Sequence, residues 1–156
     1  MQARIRRLKA DADRVAAAFA NHPFIALIGT EGDPPEKYTF EFRVEGLVPH
    51  GDDGDDLAPS MTHRAEVFLP LDYPRRAPFA RMITPVFHPN IDPQKICIGD
   101  HWSAGQSLAQ IVAQIAEMIC FQSYNVKSPL NAKAAAWAEQ NVSRLPLQSG
   151  DLTAGV

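Results

Sequence analysis

The chain has 156 residues, 46% of them hydrophobic, which suits one domain with a substantial core. Its formal net charge of −3 at pH 7 argues against a nucleic-acid-binding domain. No apolar stretch approaches the length of a membrane span and no signal-peptide core follows Met1, so we expect a cytoplasmic protein that binds neither nucleic acid nor membrane.

The first predicted element is an amphipathic helix with a basic N-terminal half. Apolar residues recur at steps of three and four from Ile5 to Phe19, and Pro23 ends the pattern. On an acidic chain, this basic half predicts a docking face for an acidic partner, with a solvated helix face as the alternative. The basic residues of the whole helix are Arg4, Arg6, Arg7, Lys9 and Arg14.

Four strands are predicted next. Apolar and polar residues alternate over residues 40–44, which is the period of a half-buried strand, and Ala65, Val67 and Leu69 alternate in the same way with Arg64, Glu66 and Phe68. Short apolar runs at residues 24–28 and 79–84 add two more. Sequential strands with turn-like connections suggest an antiparallel meander, in which residues 46–60 form a long polar connection.

A proline-rich segment and two helices follow the strands. Six prolines between residues 70 and 93 predict rigid, extended backbone, on which functional sites often lie. Ser107 and Gln110 have capping-box spacing at the start of an apolar helix, and Asn131 is placed to cap another.

This order of elements predicts an α+β fold with the helices on one face of the sheet. Residues 1–145 are expected to form a single domain. Residues 146–156 show no pattern and are expected to be a flexible tail.

Cys97 is the strongest candidate for chemistry. It lies in a polar, turn-rich stretch seven positions after the last residue of His88-Pro89-Asn90. Cys120, the other cysteine, lies in an apolar helical run and is predicted to be structural. Two cysteines in such unlike contexts predict no disulfide framework, which favours a reducing compartment.

Three chemistries could use the Cys97 thiolate, which is a strong nucleophile. They are acyl transfer through a thioester, hydrolysis with a Cys-His-Asn arrangement, and metal binding together with His88 and His101. The metal hypothesis lacks the paired ligand spacings of a zinc site. Hydrolysis needs an imidazole within reach of the sulfur, whereas His88 precedes a proline and is expected to brace backbone.

Five motifs follow one another within residues 71–137. They are Asp72-Tyr73-Pro74-Arg75-Arg76-Ala77-Pro78, His88-Pro89-Asn90-Ile91, Ile96-Cys97-Ile98, Trp102-Ser103-Ala104 and Ser128-Pro129-Leu130-Asn131. In order and rough spacing they resemble the Y-P-x-x-P-P, H-P-N, I-C-L, W-S-P and D-P-L-N motifs of ubiquitin-conjugating enzymes. The resemblance implies the family fold without its last helix. This compact form is similar to proteins of bacterial operons, some of which act in antiphage defence.

The resemblance also implies catalytic roles and partners. Cys97 would accept the C-terminus of a ubiquitin-like protein from an activating enzyme and transfer it to a lysine of a target protein, without a cofactor or metal. Asn90 would stabilise the oxyanion or shape the loop. His88 and Pro89 would be structural. The alternatives are a non-catalytic binding module of the same fold and a thiol hydrolase that uses Cys97 and His88.

Further positions follow from the same resemblance. Ser128 and Asp92 would lie on the substrate-lysine side of the cleft, and Ala77-Pro78 would be a cis peptide. Arg75 stands where many members place a hydrophobic residue that docks RING-type ligases, so that mode of docking is not expected. The activating enzyme would dock on Arg4, Arg6, Arg7 and Lys9.

Overall fold

The structure is a computed structural model that describes residues 2–50, 56–98, 102–146 and 150–156. A long helix is followed by strands and then by two shorter helices, which confirms the predicted α+β class. The elements are α1 (Ala3–Phe19), β1 (Ile25–Glu31), β2 (Lys37–Phe42), β3 (Gly46–His50), β4 (Asp56–Ser60), β5 (His63–Phe68), β6 (Phe79–Met82), α2 (Leu108–Ile119) and α3 (Ala132–Gln140). None of the helices described is long and apolar enough to cross a membrane.

Four strands form one antiparallel sheet in the order β1-β2-β5-β6. Tyr38, Phe40 and Phe42 of β2 are at most 1% exposed, because alternate side chains of a strand share one face. Phe40 pairs with Ala65 of β5, so buried positions of neighbouring strands are in register. The four strands predicted from the sequence are confirmed, although β1 continues beyond residue 28 to Glu31.

Residues 46–60 are not simply the polar connection that the sequence predicts. β3 and β4 pair there as a separate two-stranded sheet, in which Leu47 lies opposite Pro59. Pro49 and Pro59 argue against strands, yet each strand of a two-stranded sheet has a free edge where a missing amide donor is tolerated. Residues 51–55, which hold most of the acidic turn, lie outside the described residues.

The two predicted helix caps are confirmed. Gln110 N donates to Ser107 Oγ at 3.2 Å and Ser107 N donates to Gln110 Oε1 at 3.0 Å, which is a complete capping box. Ala134 N donates to Asn131 Oδ1 at 2.9 Å at the start of α3. α1 and α2 pack against the sheet, and their core side chains include Leu8, Val15, Ile111, Ile115 and, at the end of α2, Cys120.

The predicted cis peptide lies elsewhere in the proline-rich segment. Tyr73-Pro74 and Asp33-Pro34 are the cis bonds of the described residues, so the prediction for Ala77-Pro78 is wrong. Cis and trans X-Pro bonds differ by only about 0.5–1 kcal/mol, so tertiary contacts decide between them. Tyr73 is 1% exposed, and Trp102 Nε1 donates to the Pro74 carbonyl at 2.8 Å.

Part of the predicted tail lies against the domain. Leu152 is 1% exposed within the main core, and its carbonyl oxygen accepts from His22 Nε2 at 3.0 Å. Gln122 Nε2 donates to the Gly150 carbonyl at 3.3 Å. The mobility of residues 146–156 and the domain boundary at residue 145 stay predictions.

Candidate active site

The segment that carries Cys97 folds back on itself after β6. Ile91 bridges to Ile96, and Ile96 N donates to the Ala80 carbonyl of β6 at 2.8 Å. Cys97 N then donates to the Asn90 carbonyl at 3.0 Å. Cys97 is therefore held directly beside Asn90 by backbone hydrogen bonds that begin at the sheet.

Cys97 opens into a cavity of about 130 Å³. The cavity lies between the segment of Cys97, α2 and the loop that joins α2 to α3. None of its lining residues that the structure describes carries a charge. They are Asn90, Cys97, Ile98, Gln114, Met118, Ser123, Tyr124, Asn125 and Ser128.

His88 is a buried, neutral imidazole with both nitrogens engaged. It has no exposed surface, and burial lowers its pKa to about 4, although a hydrogen bond with the Ser123 carbonyl opposes that shift. Nδ1 accepts from Asn90 N at 3.0 Å, so the proton lies on Nε2, which donates to Ser123 O at 3.1 Å. With no ring nitrogen left to take a proton from Cys97, this arrangement gives no support to hydrolysis.

Like His88, Asn90 and Pro89 form hydrogen bonds with the loop before α3. Asn90 Nδ2 donates to the Asn125 carbonyl at 2.9 Å, and Asn90 Oδ1 accepts from Asn125 N at 2.8 Å. The Pro89 carbonyl accepts from Leu130 N at 2.9 Å and Asn131 N at 3.0 Å. Three consecutive residues thus attach the loop that forms the far wall of the cavity.

The two residues predicted for the substrate-lysine side are separated. Ser128 lines the Cys97 cavity. Asp92 lines a neighbouring apolar cavity instead, and its Oδ1 accepts from Gln94 N at 2.8 Å and Lys95 N at 2.9 Å. The structure does not bring Asp92 to Cys97, because its carboxylate closes a turn of its own segment.

The basic half of α1 divides into two groups. Arg6 and Lys9 are exposed. Arg4 and Arg7 are engaged within the domain, and Arg4 Nη2 donates to the Pro70 carbonyl at 3.0 Å. The four basic residues predicted from the sequence to dock the activating enzyme therefore do not form a uniformly exposed surface.

Arg7 joins α1 to the segment before α2. Its guanidinium bonds Asp11 Oδ2 at 2.9 Å, Gln106 O at 2.6 Å and Tyr73 Oη at 3.2 Å, and it also bonds the carbonyl of Ala104. Asp11 is 4% exposed and also accepts from the Tyr73 hydroxyl. The four-residue spacing of Arg7 and Asp11 on a helix is the sequence signal for this pair.

Sequence reasoning also missed Asn125, Gln114 and Tyr124, which line the cavity. Asn125 stands in a polar turn directly after the core helix, a weak signal that does not reveal its pairing with Asn90. Among the described residues, no group of three or more His, Cys, Asp or Glu side chains is placed to hold a metal ion; His101 lies outside those residues.

Comparisons with known proteins agree with the motifs. Residues 59–146 match the family model of the ubiquitin-conjugating enzymes. The chain is 30% identical over 114 residues to ubiquitin-conjugating enzyme E2 N of Macaca fascicularis, a match that covers 70% of this chain and 71% of that one. It is 38% identical over 79 residues to the Drosophila melanogaster E2 N, which covers 47% of this chain and 51% of the relative.

The fold comparison covers a larger share of the chain. A crystal structure from Plasmodium yoelii, described as that of a ubiquitin conjugating enzyme, aligns with a TM-score of 0.64. The alignment covers 92% of this chain and 88% of that one at 17% identity, so it supports a shared fold.

Proposed function

This chain belongs to the ubiquitin-conjugating enzyme family, a family of transferases, and we propose that Cys97 is the residue that carries the modifier as a thioester. The observation that supports this most directly is the common cavity of Cys97, Asn90 and Ser128. The cavity brings together the half-buried thiol of Cys97, the carboxamide of Asn90 and the uncharged side chain of Ser128, on the side proposed for the acceptor lysine.

The reaction proceeds in two acyl transfers. The Cys97 thiolate attacks the thioester carbonyl that joins the modifier to an activating enzyme; a new S–C bond forms and the enzyme's thiolate leaves. A lysine amine of the target then attacks the Cys97 thioester. The tetrahedral intermediate collapses with loss of the Cys97 thiolate, and the amine proton passes to solvent. No cofactor takes part in either step.

Asn90 is proposed to stabilise the oxyanion of both steps. A carboxamide nitrogen has two N–H donors, and the Asn125 carbonyl accepts one of them. The second can donate to a developing negative charge beside Cys97. Because Asn125 holds both ends of the carboxamide, this donor is oriented before the reaction, which is the condition for effective electrostatic stabilisation.

The proposed partners are a ubiquitin-like modifier, an activating enzyme and a protein target. On α1 the exposed Arg6 and Lys9 are the proposed contacts for the activating enzyme, whereas Arg4 and Arg7 act within the domain. By sequence resemblance we extend the proposal to a cytoplasmic bacterial conjugation system with a role in antiphage defence. Restored plaque formation by phage in a Cys97→Ala strain would support that role.

A charging assay tests the proposed activity. With the cognate activating enzyme, modifier and ATP, the protein should gain the mass of one modifier, and a thiol reductant should remove it. Cys97→Ser should give a reductant-resistant ester or no adduct. Cys120→Ala is the matched control and should charge normally, because Cys120 is buried in the core. Normal charging of Cys97→Ala would contradict the proposal.

A further inference from the structure

We propose that the Cys97 site selects acceptor lysines that are flanked by acidic residues, which Lys95 and Lys127 bind at the two sides of the cavity. This inference rests on the proposed function and specifies the substrate class of the same site.

Lys95 lies on the same side of its segment as Cys97. Burial alternates along these residues: Ile96 is 3% and Ile98 is 5% exposed, whereas Lys95 is exposed and Cys97 is half-buried. Residues two apart in extended backbone share a face, so Lys95 projects to solvent next to the thiol. Lys95 N donates to Asp92 Oδ1 at 2.9 Å, and this hydrogen bond holds the turn from which the Lys95 side chain projects.

Lys127 stands in the loop that forms the opposite wall, between the lining residues Asn125 and Ser128. It is exposed and precedes Ser128, which lines the cavity. Lys127 N donates to Asn125 Oδ1 at 2.8 Å, and the Asn125 backbone is held by Asn90. The backbone that carries Lys127 is therefore fixed relative to the Cys97 segment.

Both ammonium groups are available to a ligand. Among the described residues, neither Lys95 nor Lys127 has a carboxylate at ion-pair distance, in contrast to Lys37, which pairs with Glu31 and Glu66. The described lining of the cavity contains no carboxylate either. Among the described residues, the charges that flank the cavity are thus those of Lys95 on one side and Lys127 on the other, while the Asp92 carboxylate lines the neighbouring cavity and accepts two backbone amides.

This charge has two consequences for an incoming lysine. It disfavours the ammonium form relative to the neutral amine, and only the neutral amine can attack the thioester. It also repels a cationic segment. Acidic residues on either side of the acceptor lysine compensate the repulsion by pairing with Lys95 and Lys127, while the amine itself enters the neutral cavity. Carboxylates that pair with Lys95 and Lys127 also cancel much of their effect on the protonation of the amine, so the gain from an acidic flank lies in binding and positioning the acceptor lysine.

The test is single-turnover discharge of preformed Cys97 thioester to three peptides that differ only in the residues flanking one lysine, which are Asp, Ser or Arg. Free lysine serves as the reference nucleophile. We expect the rates to fall in the order Asp, Ser, Arg, with a contribution of about 1.4-fold to fivefold from each enzyme lysine, the range of exposed ion pairs. The differences should shrink as salt rises.

Charge-reversal variants identify the residues responsible. Lys95→Glu and Lys127→Glu should reverse the order, and the milder Lys95→Gln and Lys127→Gln should flatten it. Arg43→Glu, which makes the same charge change directly after β2, should leave the order unchanged; Arg43 is exposed and pairs with Glu41. Equal rates for all three peptides at low salt, with normal discharge to free lysine, would overturn this inference alone. Failure to form any thioester would overturn the proposed function as well.

Discussion

The Asn90 carboxamide holds the Asn125 peptide with both of its polar atoms, Nδ2 to the carbonyl at 2.9 Å and Oδ1 from the amide at 2.8 Å. Asn90 is 7% exposed and Cys97 N donates to its carbonyl, so a single residue links the nucleophile's segment to the facing loop. The oxyanion role and the bracing role suggested by the sequence therefore have one structural basis and must be separated by experiment.

Asn90→Ala should slow discharge to free lysine by about a hundredfold or more, the scale for loss of one oxyanion donor. Asn21→Ala is the matched control, because Asn21 is exposed just after α1 and does not line the cavity of Cys97. Single-turnover discharge and thermal melting should be measured on both. Slow discharge with a nearly unchanged melting temperature supports the oxyanion role. Unchanged discharge with a lowered melting temperature leaves bracing as the only role.

His88 predicts a pH dependence of stability. Burial lowers its folded pKa to about 4, below the ordinary value of about 6.5, so the unfolded chain binds the extra proton between those values. Stability is therefore complete above the unfolded pKa and falls as pH decreases, by about 2 kcal/mol between pH 7 and pH 5.

Urea unfolding of wild type and His88→Gln at the two pH values checks this prediction. In the variant, the free energy of unfolding should fall less between pH 7 and pH 5, because the contribution of His88 is absent. The contribution of His63, whose pKa is also lowered by burial, should remain in both proteins. An equal loss in both proteins would show that His88 does not titrate in this way.

Arg6 and Arg7 should respond differently to reversal of charge. Arg6→Glu places a carboxylate on the exposed face of α1, so charging should slow at low salt while melting is unchanged. Arg7→Glu removes the partner of buried Asp11 and should destabilise the domain by about 3–5 kcal/mol. Charging kinetics and thermal melting should be measured on both variants. Lys9→Glu should be measured with them, because Lys9 is the other exposed basic residue proposed to contact the activating enzyme. Normal charging of Arg6→Glu at low salt would show that this face of α1 is solvated and does not contact the activating enzyme.

Phe121 occupies a conformation that favours glycine. Its φ is 61° directly after α2, where left-handed backbone ends many helices. Its ring lies 4.7 Å from that of His88 and 5.5 Å from that of Tyr124, so ring packing offsets the backbone strain. Phe121→Ala should cost about 3–5 kcal/mol of stability. Phe121→Gly should cost about 1 kcal/mol less than Phe121→Ala, because glycine lacks the left-handed penalty. A glycine variant less stable than the alanine variant contradicts this.

The sequence predicts the sheet, the helix caps and the neighbourhood of Cys97 because each depends on local patterns. Alternation along residues 40–44, the spacing of Ser107 and Gln110, and the His88-Pro89-Asn90 motif each act over a few positions. Pairing over long separations is not visible in this way. The bond from Asn90 to Asn125, the contacts of Arg7 with Tyr73 and Gln106, and the strand pairing of β3 with β4 depend on tertiary structure.

Asp92 illustrates the same limit. The family resemblance implied a place for it in the cleft, on the side of the substrate lysine. Its carboxylate instead accepts the amides of Gln94 and Lys95, which turns it toward its own segment. An Asx turn of this kind is common for aspartate before a tight turn, and it competes with any functional use of the side chain.

The most direct measurement is the attachment site of the modifier on the charged protein. Charged protein should be isolated without reductant, digested, and its adduct located by mass spectrometry. We expect one modifier C-terminus in a thioester with Cys97, no adduct on Cys120, and loss of the adduct on addition of free lysine with release of a lysine–modifier conjugate. An adduct confined to another residue, or a Cys97 adduct that hydrolyses without transfer to lysine, would contradict the assignment of this chain as a Cys97-dependent conjugating enzyme.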